Sequence, residues 1–209
     1  MIRMGLAENG ADSLKAAYLI MEKLSTLEEG LAHNLKDAVI SLNHGIEILF
    51  KLILKNYEEY LIFADIDKYM IAKKAMLEKG KDNVLEVNPL LKTVTLNEAI
   101  RRVKYLCNYD ISSDFEVAIS YLNKIRNQFM HYEINLSDGE MLELLVKMRI
   151  AYDLSYDFFI TYIEDLYSIL EDARYEITID DYSDEIAEMH RSMMEDSTYE
   201  EYRENKFDY

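Results

Sequence analysis

Proline is nearly missing from this chain: Pro89 is the only one in 209 residues, and there are only six glycines. A sequence so poor in helix breakers can carry long uninterrupted helices. β-Branched runs are scarce too. Leu, Ile, Met, Ala, Glu, Lys and Tyr dominate, which points to an all-α fold. Cys107 is the single cysteine, so a disulfide within the chain and a cysteine-based zinc site are both excluded, and a reducing, cytoplasmic setting is expected. No stretch approaches the roughly 18 apolar residues of a membrane span. The segment Met1–Asn9 lacks the basic and apolar regions of a signal peptide. Basic charge is also short. Lys and Arg number 23 against 40 Asp and Glu, a net of −17, which argues against nucleic-acid binding through a broad basic face. There is no glycine-rich phosphate loop, dinucleotide fingerprint, His-Glu-x-x-His or Gly-x-Ser-x-Gly. The four histidines, His33, His44, His131 and His190, are scattered, so neither a metal site nor a cofactor is expected.

What is present is helical periodicity. Leu14, Ala17, Tyr18, Met21 and Leu24 recur at helical spacing within a first block from about Leu6 to Leu27. A second block runs from about Glu28 to Tyr60. Its centre, Ala38–Phe50, is apolar on most sides, which marks a central helix. An insert of about residues 61–94 holds Gly80, Asn83 and Pro89, with one short helix expected near Asp67–Glu78. Three N-terminal capping boxes follow, Thr95–Glu98, Ser113–Glu116 and Ser137–Glu140. They predict helices through Leu106, through Phe129, and from Ser137 to about Leu170. A body of residues 1–172 and an acidic tail of 173–209 are therefore expected. From Glu171 to Tyr209 there are fourteen acids against four bases, a net of −10, which leaves −7 for the rest. Tyr175, Tyr182, Tyr199, Tyr202 and Tyr209 punctuate the tail. A short helix near Asp184–Met194 is expected, and the remainder is expected to order only against a complementary surface.

One segment carries candidate chemistry: Asn123-Lys124-Ile125-Arg126-Asn127-Gln128-Phe129-Met130-His131-Tyr132-Glu133. It closes a helix otherwise devoted to core. Arg, Asn and His are the groups needed to cleave RNA without metal. A guanidinium holds and neutralises the scissile phosphate. An imidazole takes the 2′-hydroxyl proton or protonates the leaving oxygen. An amide positions either group. The plainer alternative is a solvated Arg126 and a His131 placed where a helix C-terminus favours a cation. Residues five apart lie roughly 140° apart around a straight helix. Arg126 and His131 therefore share a site only if the helix ends or bends between them, or if a second chain completes it. Glu47 has two readings: an i,i+4 pair with Lys51, or a partly buried carboxylate that orients Arg126. His44 reads as a packing or capping histidine with a minor claim to the site, and Cys107 as core. The tyrosines of the body read as packing.

The segment Arg126-Asn127-Gln128-Phe129-Met130-His131 resembles the Arg-x4-6-His signature of the HEPN superfamily, which often has a polar residue after the arginine. Upstream, Leu42–Leu54 resembles the second helix of many HEPN proteins, with an embedded acid, Glu47, and a lysine, Lys51, one turn later. The resemblance covers roughly Leu6 to Leu170. It implies an antiparallel four- to five-helix bundle that dimerises with its motifs facing each other in a cleft. It also implies a metal-independent endoribonuclease of toxin–antitoxin, abortive-infection or CRISPR-linked defence systems. Arg126 and His131 take the catalytic positions and Asn127 the supporting one. The chain departs from the family's nucleotidylated toxins, which carry a tyrosine two places after the histidine. Here Tyr132 stands one place after and Glu133 fills the second.

Three functions are compatible with these features. The first is an RNA endonuclease, with Lys124, Arg126, Lys147 and Arg149 as a local basic rim that focuses the field in a cleft. The second is a non-catalytic HEPN-like assembly subunit whose acidic tail docks a protein partner, such as an antitoxin or a defence subunit. The third is an acidic tail that mimics nucleic acid, blocking its own cleft or a basic groove elsewhere.

Overall fold

The chain's structure, a computed structural model, describes residues 4–24, 26–176 and 188–189. Among them are seven α-helices: α1 Leu6–Leu24, α2 Leu31–Tyr57, α3 Ile66–Glu78, α4 Leu96–Tyr105, α5 Ser113–His131, α6 Asp138–Tyr162 and α7 Leu166–Asp172. The fold is all-α. A single antiparallel bridge, Phe63 to Thr93, is the only β-type pairing among the described residues.

Helix α2 is the centre of the bundle. It packs against α1, α4, α5 and α6, as its nearly all-round apolar sequence requires. Small residues let α1 come close. Gly10 and Gly45 face this contact, where a Cβ on Gly10 would lie 2.5 Å from Leu49 Cδ2 and one on Gly45 3.0 Å from the Leu14 backbone nitrogen. Across the core, Phe50 of α2, Phe115 of α5 and Phe158 and Phe159 of α6 interlock, with Phe50 and Phe159 edge to face at 5.0 Å. Edge-to-face packing suits the ring quadrupoles. Cys107 is buried in this core, and its burial pushes the thiol's pKa up.

The insert has its own small core of Phe63, Tyr69, Ala72, Met76, Val84 and Leu91. Its helix α3 starts at an Asp65 N-cap that accepts from the Lys68 N–H at 3.0 Å. Its two ends are tied together, with Ala64 N–H donating to Lys92 O and Val94 N–H to Ile62 O, both at 2.9 Å. Arg102 of α4 clamps the entry by donating to the carbonyls of Leu61 and Phe63 at 2.7 and 2.8 Å. Just before the insert, Glu59 accepts from the Tyr69 hydroxyl and from Lys73, each at 2.7 Å, and ties α3 back to the end of α2.

Three details differ from the sequence expectation. The second capping box is displaced: Ser112, not Ser113, is the N-cap of α5 and accepts from the Phe115 N–H. Glu116, expected to close the box, pairs with Lys104 of α4 instead. The first box is half-formed, because Thr95 caps but Glu98 turns to Arg101 and Arg102. Only Ser137 and Glu140 make the full reciprocal box. The helix expected to run to Leu170 is instead broken after Tyr162. Ile163 is extended and Asp165 left-handed at φ 59°, a conformation that Asp tolerates better than most residues. The break lets α7 fold back on α1 with Leu166 and Leu170 buried.

The chain divides after Arg174, which donates to Asp12 of α1 through both Nε and Nη2. Most of the tail expectations, including Tyr182, Tyr199, Tyr202, Tyr209 and the helix near Asp184–Met194, lie outside the described residues, apart from the helical residues 188–189.

Candidate functional site

Helix α5 positions the motif. Phe115, Ala118, Ile119, Leu122 and Ile125 form its buried face, so every other residue's orientation is set by its angle from that face. The helix runs without a break through Arg126 to its last residue, His131. Its hydrogen bonding persists to the end, with Tyr132 N–H donating to Gln128 O at 3.0 Å. Arg126 and His131 therefore leave the helix in directions roughly 140° apart. Arg126 is half-buried beside the core, whereas His131 is exposed on the far side.

Arg126 Nη1 donates to Asn127 Oδ1 at 3.0 Å, so arginine and amide are held together. Among the described residues, none of the carboxylates forming ion pairs reaches Arg126. Glu47 is engaged elsewhere. It accepts from Lys51 Nζ at 2.6 Å, and the same ammonium donates to Thr93 Oγ1 at 3.0 Å. Lys51 is only 8% exposed, so this pair fastens α2 to the returning end of the insert. The i,i+4 reading of Glu47 holds here, and no hydrogen bond joins it to Arg126. His44 Nε2 lies 3.3 Å from Asn9 Oδ1 of α1, a helix–helix contact away from the motif.

The expected basic rim is not gathered at one place. Arg149 faces α1, bonded to Glu22 at 2.7 Å, reaching Asp153 at 3.5 Å and lying over the Tyr18 ring. Lys147 sits in the cleft between α5 and α6 beside Asp114 and Asp153. Only Lys124 joins Asn127 at the edge of a groove.

That groove was not anticipated. It has a volume of about 500 Å³ and is formed by Ser120, Asn123, Lys124, Asn127 and Gln128 of α5. Tyr132 stands at one end and Asn97, on the first turn of α4, opposite. The α5 residues follow an i, i+3, i+4, i+7, i+8 pattern, and His131 falls on the same side by the same count. None of the lining residues is acidic, although the chain carries −17 overall. Asn43 of α2, only 1% exposed, donates its Nδ2 to Asn123 Oδ1 at 3.4 Å and anchors that side chain from inside the bundle. Tyr132 is 86% exposed, unlike Tyr18, Tyr109, Tyr152 and Tyr162, whose rings pack on other aromatic rings. The polar face of α5 was written in the sequence as a run of amides at helical spacing. Its pairing with Asn43, 80 positions away, was not.

Among the described residues, no group of three or more His, Cys, Asp or Glu side chains is placed to hold a metal ion. No described helix is long and apolar enough to cross a membrane. Comparison with known proteins finds no matching family model, no matching curated protein and no matching solved structure.

Proposed function

We propose that this chain is a metal-independent RNA endonuclease of the HEPN kind, acting as a homodimer in a toxin–antitoxin or anti-phage defence module. The observation that carries the reading is the end of α5: an arginine held by an amide, an exposed terminal histidine, and an acid-free polar groove on the histidine's side. In this mechanism His131 takes the proton of a 2′-hydroxyl, whose oxygen forms a bond to phosphorus. The bond from phosphorus to the 5′-oxygen breaks, and that oxygen takes up the proton from the His131 imidazolium. The products are a 2′,3′-cyclic phosphate and a 5′-hydroxyl. Arg126 stabilises the added charge on the phosphoryl oxygens, as preorganised cationic donors do, and Asn127 fixes the guanidinium.

Because one helix points Arg126 and His131 apart, each catalytic centre takes its arginine from one protomer and its histidine from the other. The test is cleavage of single-stranded RNA in EDTA by wild type, Arg126→Ala, His131→Ala and a mixture of the two variants. Each variant alone should be inactive with unchanged helical circular dichroism. The mixture should recover activity through heterodimers with one intact centre. Activity lost to EDTA, or surviving His131→Ala, sinks the mechanism. A monomer by light scattering sinks the shared site.

A second reading, a non-catalytic HEPN-like subunit that docks a protein partner, has one observation in its favour. Leu142, Val146 and Ile150 form an exposed apolar row along α6, at the spacing a partner helix would use. A stable complex with a second protein that leaves RNA uncut in every condition would favour it.

A further inference from the structure

We propose that the α5 groove is a base-recognition subsite that takes a carbonyl-bearing nucleobase of single-stranded RNA, such as uracil, in preference to adenine, with Tyr132 as its stacking platform. The proposal rests on the ribonuclease reading for its substrate class and on the hydrogen-bond directions of the groove for its selectivity.

Those directions follow from what each amide has already committed. An arginine side chain can only donate, so Asn127 must offer its oxygen to Arg126 Nη1. Its Nδ2 is left to donate. In the structure Asn123 accepts from the buried Asn43 Nδ2, an arrangement that leaves its own Nδ2 as a donor. Lys124 has donors only. Ser120 and Gln128 can serve in either sense. The groove therefore presents a surplus of N–H groups, and no lining carboxylate supplies acceptors in return. Its complement is a ligand rich in acceptors. Uracil offers two ring carbonyls, and guanine offers O6 and N7. Adenine has no carbonyl and turns an exocyclic amino group towards these donors, and a donor facing a donor leaves both without a partner. At 86% exposure, just past the helix end, the Tyr132 ring is free to cover a base, and stacking is tolerant of base identity. Affinity then comes from Tyr132 and Lys124, and selectivity from Asn123 and Asn127. The subsite lies on the helix face that ends in His131, so a base held there places its ribose near the imidazole.

The experiment is equilibrium binding by fluorescence anisotropy. The full chain is titrated against 5′-fluorescein octamers of 2′-O-methyl uridine and 2′-O-methyl adenosine, which bind but cannot be cut. Wild type should bind the uridine octamer about tenfold more tightly, the difference expected of one or two hydrogen bonds. Tyr132→Ala should weaken both octamers by at least about fivefold, as loss of a stacked ring does, and keep their ratio. Asn123→Asp keeps the oxygen that Asn43 needs and replaces the donor with an acceptor, and it should abolish the uridine preference. Equal binding of the two octamers by wild type, or a preference unmoved by Asn123→Asp, overturns the subsite. If Asn123→Asp does not fold, the wild-type ratio and the exposed Tyr132→Ala variant still decide. Uridine-selective binding without any cleavage of natural RNA keeps the subsite and removes the nuclease. Cleavage indifferent to base and to both substitutions removes the subsite and keeps the nuclease.

Discussion

Replacing Gly10 with alanine tests the tightest helix contact in the bundle, because two opposing terms act on it with known sizes. Alanine is favoured over glycine inside a helix by about 0.8–1.0 kcal/mol. Against this, the new Cβ would stand 2.5 Å from Cδ2 and 2.6 Å from Cγ of Leu49, a side chain with no solvent exposure. Adding a methyl to a packed core costs about 1–3 kcal/mol. Gly10→Ala is therefore expected to be neutral to destabilising by about 2 kcal/mol. The control is Gly139→Ala, in the first turn of α6, where a Cβ meets nothing within 4 Å. That substitution should be neutral or stabilise by up to about 1 kcal/mol. The difference between the two variants largely cancels the propensity term and isolates the steric one. Urea denaturation followed by far-ultraviolet circular dichroism gives both values at one pH and protein concentration. Equal stabilisation by the two substitutions would refute the close packing of α1 on α2.

Ser112→Ala should cost about 0.5–2 kcal/mol by removing the α5 N-cap, while Ser113→Ala stays within about 0.5 kcal/mol; the reverse order by thermal melting would place the helix start one residue later. Glu47→Gln should destabilise the fold by about 1–3 kcal/mol, because Lys51 is buried and loses its charged partner; no change in urea midpoint would show that Thr93 alone satisfies the ammonium. The insert should loosen at both ends of the pH scale. Burial of Glu59 pushes its carboxyl up, but hydrogen bonds from Lys73 and Tyr69 outweigh this and hold it below its ordinary 4.5. Its contribution is thus present above pH 4.5 and lost as pH falls through the lower folded value. Burial and the hydrogen bond to Glu59 push the Tyr69 phenol well above its ordinary 10, so its contribution is present below pH 10 and lost as pH rises towards the folded value. Ring resonances of Phe63 and Tyr69 should move towards unfolded positions at acid and alkaline pH before those of Phe50 and Phe115; simultaneous loss of both sets would contradict an independent insert core.

The helices were legible because they are written in local terms. Ser137–Glu140 is a complete box in sequence and in space, and the apolar stretch around Phe50 could only be a central helix. The register at Ser112 was not legible, since two adjacent serines compete and Glu116 is decided by Lys104 on another helix. The break after Tyr162 was hidden for a different reason. Phe159, Ile163, Leu166 and Leu170 keep a 4-3-4 spacing that also suits one continuous helix, and no glycine or proline marks the turn. At the candidate site, Arg126, Asn127 and His131 could be picked out by residue type. The local pairing of Glu47 with Lys51 could be read as one of two alternatives, but the contact with Thr93 that completes it joins distant segments. The selective part of the groove was least visible, because the free hydrogen-bonding end of Asn123 is determined by Asn43.

The hydrogen-bonded ends of the insert make a seam in the chain. Departure at Ile62 and return at Val94 occur at neighbouring points, so shortening, exchanging or enlarging the segment leaves no gap for the remaining helices to span. Closure entropy changes slowly with loop length, and no residue between 61 and 94 lines the α5 groove. Sequence drift and length variation can therefore accumulate in this segment independently of the amides that line the groove. A reporter domain carried within the segment, with Phe63 and Thr93 kept as partners of Arg102 and Lys51, would leave the groove as it stands.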